Sequence, residues 1–471
     1  MNRRSLLAAS CCLFALPGFA AETEIPVAAR KDIEITVYES NLALIKDRRT
    51  VKLPAAAADL AFTGVSGQMQ PETALFRALN GPGFDVAEQV FDFDVVSPQK
   101  LLEGSVGKEV TVVTTNPSNG KETAVRGKIL AVREGLVMEI GGKIYTEAPG
   151  RIVYDALPPD VRATPTLVLK VAGKAGDESL TELSYLTGGL GWHADYVAEY
   201  DADAGRLDRN GWATVVNTAG VDFKNVALKV VSGQVNRTAV PRPEMMMKQS
   251  RAADMAMAAP PGFSPQSLSG YYLYDLGPMN DLGANETKQL SLLSGRGIAV
   301  KREYVVRGEL QYATNQFPGK PPITQAETSI SFKNDSAAKM GLPLPAGVVR
   351  IYGQDASGAP QFLGEDRLEH TPEGRDVHLT LGRDFDIGAE REQVTFVRAT
   401  ENMTLSTWRI TIKNAKAKPA AVRIIEPMSG DWEITKESAP HEKSNNAAAE
   451  WTVTVPAKGQ AVVEYNVRTR F

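Results

Sequence analysis

From residue 30 to the C-terminus the chain is cut into short runs of alternating apolar and polar residues, each closed by Gly, Pro, Asn or Asp. The run "DIEITVYESN" places Ile33, Ile35 and Val37 on one face, and "LALIKDRRTVKLPA" begins a second strand behind it. Successive side chains of a strand point to opposite faces, so such runs bury one side and wet the other. Val, Ile and Thr fill the runs, and long 3.6-residue periodicity is absent. The pattern predicts an all-β, multidomain chain of antiparallel β-sandwich-like domains. The clearest helix is "SPQKLLEG", with Ser97 as cap and Pro98 at the first helical position.

After that helix, residues 97–158 read as an insertion. Five short strands are joined by tight turns at Asn119-Gly120, Glu134-Gly135 and Gly141-Gly142, which predicts a small SH3-like or Sm-like barrel. It separates an N-terminal β domain at 31–96 from a C-terminal sandwich region at 159–471. Sm-like barrels often bind RNA, but this one lacks a basic stripe, and no nucleic-acid partner is expected. A strand–Pro–Ala–strand echo recurs at Leu53-Pro54-Ala55, Leu344-Pro345-Ala346 and Val455-Pro456-Ala457, pointing to several sandwich modules. Residues 238–270 form a Met- and Pro-rich segment that reads as a loop between strands.

The N-terminus predicts export. Arg3 and Arg4 precede a short apolar run, and Gly18-Phe19-Ala20 offers small residues to a signal peptidase, so residues 1–20 are expected to be a signal peptide. Arg3-Arg4 also suits a twin-arginine signal, and Cys11 could be read as a lipid-modified cysteine. Removing the segment shifts the net charge from −4 to −6 by taking away its two arginines. It also removes Cys11 and Cys12, the only cysteines, so the mature chain can hold no disulfide, thiol nucleophile or cysteine zinc site. A chain of 471 residues has room for two to four independent cores, which suits an exported protein that is stable without disulfides. The expected location is the bacterial periplasm or the extracellular space, with no transmembrane segment after cleavage.

Candidate chemistry concentrates in "YLTGGLGWHADYVAEY", residues 185–200. Alternation turns Trp192, Ala194, Tyr196, Ala198 and Tyr200 toward a core, and puts His193 and Asp195 side by side on the other face. They are close enough to hydrogen-bond or to begin a metal site, although a metal needs a third protein ligand. Glu365, Asp366, Glu369, His370 and Glu373 gather in "GEDRLEHTPEGRD", where carboxylates beside histidine could serve acid/base chemistry or bind a cation. "DADAGRLD" (Asp201, Asp203, Gly205, Asp208) departs from a calcium loop at the fifth, sixth and twelfth positions and reads as a hairpin turn. Ser97–Lys100 and Ser336–Lys339 match Ser-x-x-Lys, but no Lys-Thr-Gly partner exists. Thioethers such as Met245 and Met247 could hold Cu(I), or contact a partner protein. The terminal Phe471 reads as the end of the last sandwich strand. No organic cofactor is expected.

"YLTGGLGWHADYVAEYD", "GWATVVNTAGVDFKNVALKVVSGQVNR", "YYLYDLG", "LPAGVVRIYGQD" and "EPMSGDWEITKESAPHEK" together resemble a bacterial domain-of-unknown-function family, number 4139, that includes mucoidy inhibitor A proteins. The resemblance spans roughly residues 165–471. Many members carry a long helical hairpin where this chain has the small barrel, so any role of that hairpin does not transfer. The resemblance implies a β-rich envelope protein and supplies no catalytic residues. The resulting expectation is a non-enzymatic binding or structural module whose partner is another envelope protein or a surface polysaccharide. The alternative is an enzyme or binder acting on that polysaccharide. Tryptophans grouped on an exposed face would favour the glycan, and their burial would count against it.

Overall fold

The computed structural model describes residues 22–471 apart from 53–56, 82, 93–94, 134, 159–160, 174–177, 234, 237–265, 269, 279, 311–314, 318, 337–340 and 445–446. The expected signal peptide, the Leu53-Pro54-Ala55 copy of the echo, and Met245 and Met247 lie outside the described residues. Two units form: residues up to Gly191 with Val216–Lys229 and Gly277–Thr287, and Trp192–Val215 with Val230–Leu276 and Lys288–Phe471.

In the first unit, one sheet orders the strands Thr23–Ile25, Ala58–Thr63, Thr166–Gly173 and Phe84–Asp92. A second orders Phe223–Ser232, Arg30–Tyr38, Leu42–Lys52, Glu178–Thr187 and Leu75–Ala78. A buried charge cluster ties the two together. Arg49, fully buried, grips Asp47 from its own strand at 2.7 Å and donates to the carbonyls of Ile25 at 2.6 Å and Thr63 at 2.9 Å. Arg30 closes on Asp47 from the neighbouring strand at 2.9 and 2.7 Å. Burial alone would push the Asp47 carboxyl up, but two guanidiniums bonded to it outweigh burial and hold it below its ordinary value. Gly189 is fixed by a close approach. Its φ is +77°, and an added Cβ would lie 2.6 Å from the Ala219 Cα.

The insertion has the expected helix, Pro98–Gly104, with the Ser97 hydroxyl accepting from the Lys100 amide at 3.1 Å. That contact makes this Ser-x-x-Lys match a helix cap. The five expected strands order as Lys143–Tyr145, Val137–Ile140, Glu122–Ala131, Glu109–Thr115 and Arg151–Val153, around a core of Val110, Val112, Ile129 and Met138. The expected barrel does not close: Lys143–Tyr145 and Arg151–Val153 remain the two edges. Each is three residues long and offers few backbone groups with which to complete a cylinder.

The second unit holds a five-stranded sheet, ordered Glu286–Ala299, Arg206–Asn217, Leu190–Asp201, Gly347–Gln354 and Pro360–Leu368. It also holds a nine-stranded sheet running Asp431–Glu437, Gly459–Arg470, Met403–Asn414, Asp376–Thr400, Thr324–Lys333, Lys301–Arg307, Ala420–Pro427, Ala448–Val455 and Glu442–Ser444. The nine strands fold around one core, in which Trp408, Trp451, Ile410, Ile424 and Tyr465 are buried. Trp451 and Tyr465, from its two halves, stack at 4.9 Å. Phe471 directly follows the last sandwich strand, Gly459–Arg470, as expected, and that strand is interior, paired on both sides.

Among the described residues the antiparallel expectation needs correction at three strand pairs. Thr23–Ile25 runs parallel to Ala58–Thr63, Leu190–Asp201 to Gly347–Gln354, and Lys301–Arg307 to Ala420–Pro427. Alternation repeats every two residues in either direction and so carries no information about polarity.

One device recurs three times. Asn217, Asn334 and Asn414 sit buried at strand ends, and each donates its amide to three backbone carbonyls. The acceptors are Val221, Leu282 and Gly283 for Asn217; Leu342, Thr371 and Pro372 for Asn334; and Lys418, Val455 and Pro456 for Asn414, all at 2.9–3.3 Å. Two residues beyond the last acceptor, Asn285, Gly374 and Lys458 each take a positive φ. The Pro-Ala echo only partly marks this repeat. Val455-Pro456 forms a corner, whereas Leu344 bridges to Thr371 beside one.

Replacing Asn414 by Ala strands three carbonyls and is expected to cost about 3 kcal/mol, with Asn217→Ala similar. Urea unfolding reads this directly, and an unchanged midpoint would refute the corner's role.

Candidate functional site

Alternation in Leu190–Asp201 is as expected. Trp192, Ala194, Tyr196, Ala198 and Tyr200 are all buried, and the Trp192 indole donates to the Val231 carbonyl at 2.9 Å. The Tyr196 hydroxyl donates to the Pro345 carbonyl at 2.8 Å. Gly347 permits the parallel neighbour to come close, since a Cβ there would stand 2.2 Å from the Ala194 carbonyl oxygen.

On the opposite face His193 and Asp195 meet as expected, Nε2 to Oδ2 at 3.1 Å. The ring is mostly exposed, while Asp195 is only 8% exposed and has other obligations. Thr214, on Arg206–Asn217, donates its hydroxyl to Oδ2 at 2.6 Å, and Arg350, on Gly347–Gln354, donates to Oδ1 at 3.0 Å. Arg350 then reaches Glu365 on Pro360–Leu368 at 3.5 Å, and Gln289 on Glu286–Ala299 donates to the Thr214 hydroxyl at 3.1 Å. The result is a polar row, Gln289–Thr214–Asp195–Arg350–Glu365, with one residue from each of the five strands. Burial would raise the Asp195 carboxyl, but the Thr214 and Arg350 hydrogen bonds and the neighbouring positive charge hold it below its ordinary value.

The second cluster divides. Glu365 joins the row, whereas Asp366 accepts from the Thr380 amide at 2.7 Å and steadies the next strand. His370 Nδ1 accepts from the Ala346 amide at 3.2 Å, with the Ser232 hydroxyl 3.1 Å away, so its ring proton sits on Nε2. His370 does not enter the Asp195 row. Asp201 receives the amides of Asp203 and Ala204 at 3.0 and 2.9 Å, the turn expected of "DADAGRLD". Among the described residues no group of three His, Cys, Asp or Glu is placed to hold a metal ion.

A His–carboxylate pair can orient a proton-transfer group, which then needs a reacting group at the free ring nitrogen. In this row the carboxylate is spent on three strands at once. Arg350, Thr214 and Gln289 escape a search for catalytic residue types. The signal for Arg350 is a guanidinium midway along the apolar run "AGVVRIYG".

Arg209 is also unexpected. It lies in a strand interior at 4% exposure, its guanidinium 5.3 Å from the Tyr196 ring centroid, with Nε and Nη1 lacking hydrogen-bond partners. Burial pushes its pKa down.

Four of the five tryptophans, Trp192, Trp408, Trp432 and Trp451, are buried, and Trp212 is half-buried. Trp432 lines a cleft of about 540 Å³ with Asn402, Asp431 and Arg468, but the Lys443 ammonium covers its ring at 4.3 Å. These residues do not make the exposed aromatic platform that glycan stacking requires.

Because Asp195 titrates lower in the folded chain, its stabilisation is complete above its ordinary range, about pH 4, and is lost as pH falls through the folded value. Asp195→Asn is expected to cost about 1–3 kcal/mol at neutral pH and to flatten the acid limb of stability, measured by denaturation across pH. Arg209→Met, which replaces a buried cation lacking partners on two nitrogens, is expected to leave stability unchanged or raise it by up to about 4 kcal/mol. A clear loss of melting temperature would contradict that.

Residues 181–471 match the family model described as "Domain of unknown function (DUF4139)", more than half of the chain, beginning inside the strand that leads into the Gly189 bend. A search of curated proteins finds no match. The match covers more than half of the chain, and the chain belongs to the DUF4139 family.

Proposed function

We propose that this chain is an exported bacterial envelope protein that acts as a non-enzymatic structural and binding module. The observation that carries this reading is the commitment of Asp195. Its two oxygens tie Leu190–Asp201 to the strands on either side, and the exposed histidine leans on a carboxylate already engaged. The N-terminal Arg3-Arg4, apolar run and Gly18-Phe19-Ala20 support export, and the lack of cysteine after Cys12 suits a chain that relies on buried cores. Among the described residues no helix is long and apolar enough to cross a membrane. Of the two partner classes raised by the sequence, tryptophan burial favours a protein over a polysaccharide.

Two measurements test the proposal. The mass of the protein recovered from the periplasmic or secreted fraction is expected to match a chain starting at Ala21 or Glu22, and retention of residues 1–20 in a cytosolic product would overturn export. His193→Ala is expected to leave stability and envelope function intact, because the ring is peripheral to the row. Loss of function in a fully stable His193→Ala protein would instead assign the pair a chemical role.

A further inference from the structure

In the first unit, two consecutive strands end their respective sheets. Among the described residues, Leu75–Ala78 pairs only with Glu178–Thr187, and Phe84–Asp92 pairs only with Thr166–Gly173. The two free edges flank a groove of about 470 Å³ lined by Leu75, Phe76, Phe84, Val86, Glu88 and Leu169. Its floor is aromatic: the Phe76 and Phe84 rings stand 4.6 Å apart, and Phe62 meets Phe76 edge-on at 5.0 Å. Leu75 is 57% exposed and Val90 51%, with Val86 at 39%.

An open edge presents a row of unpaired amides and carbonyls, and folded proteins normally blunt it with lysine, proline or a cover. The Phe84–Asp92 strand, "FDVAEQVFD", has neither lysine nor proline. Its charges are Asp85, Glu88 and Asp92, all acidic. Lys170 answers Glu88, and Arg162 is shared between Asp92 and Glu22, so the rim keeps an acidic surplus. That surplus chooses the occupant. A second copy pairing edge to edge would set like charges against each other across the strands, which is destabilising. A basic strand would gain the same interactions with opposite sign.

We propose that the free edge of Phe84–Asp92 accepts an extended segment of a partner protein, alternating apolar and basic residues, as an added β-strand. Backbone pairing holds the segment, its apolar side chains enter the groove over Phe76 and Phe84, and its basic side chains meet Asp85 and the acidic rim. This goes beyond the module reading and can fail independently of it, because the row on the five-stranded sheet takes no part.

The test uses the mature chain and a labelled peptide of about eight residues alternating Val and Lys, with a Val/Glu peptide as control, followed by fluorescence anisotropy. Val/Lys is expected to bind at least tenfold more tightly than Val/Glu, and more weakly as salt rises. Asp85→Lys and Val90→Lys, both at exposed positions and checked for folding by circular dichroism, are each expected to weaken it fivefold or more. Equal affinity for the two peptides, no binding of either, or binding unaltered by both substitutions would overturn the proposal. A dimer of the unmodified chain that Val90→Lys disperses would also overturn it, assigning the edge to a second copy.

Discussion

From the strand Arg206–Asn217 onward, this chain depends on satisfying backbone carbonyls where strands end. A strand leaving a sheet exposes carbonyls that its partner no longer covers, and burying them without donors costs a kilocalorie or more each. Asn217, Asn334 and Asn414 solve the problem in the same way, each giving its amide to three such oxygens. The residue two places after each corner then turns through a positive φ. With the corners fixed, strands of twelve residues and more can pass through the sheets and still enclose common cores.

Charge serves the same purpose. In the first unit Arg49 and Arg30 neutralise Asp47 while Arg49 fills carbonyls of the opposite sheet. In the nine-stranded sheet Arg391 grips buried Glu426 at 2.8 Å, and the Tyr465 hydroxyl stands by at 3.4 Å. The Asp195 row is the more exposed version of this arrangement, running from strand to strand across one face. The guanidinium and hydroxyl on the two oxygens of Asp195 hold its carboxyl below its ordinary value, which makes it a strut and a poor reservoir for protons. Arg209 is a counterexample within the same sheet, a cation buried with two nitrogens unanswered.

Much was legible in the residues themselves. The helix cap at Ser97, the inward aromatics of Leu190–Asp201 and the meeting of His193 with Asp195 all follow from local spacing. The need for glycine at position 189 was not legible in this way, because the reason only glycine fits there is Ala219, thirty residues away. What failed was non-local. Glu365 and His370 are five residues apart yet serve different neighbours, because a strand ends between them. The Pro-Ala echo pointed to repeated modules and marks one corner, at Val455-Pro456, but it does not mark the asparagine that holds that corner.

The sequence by itself determined the class of structure, the strand faces, the lack of cysteine chemistry beyond Cys12 and the family motifs, because each depends on residues within a few positions of one another. Only the tertiary structure decided strand polarity, the opening of the small barrel, the union of Asp195 with Arg350, and the free edge at Phe84–Asp92. Alternation tells which way a side chain points but not which strand lies beside it. The union of Asp195 with Arg350 joins residues more than a hundred positions apart, and the contacts that select it exist only once the sheet has formed.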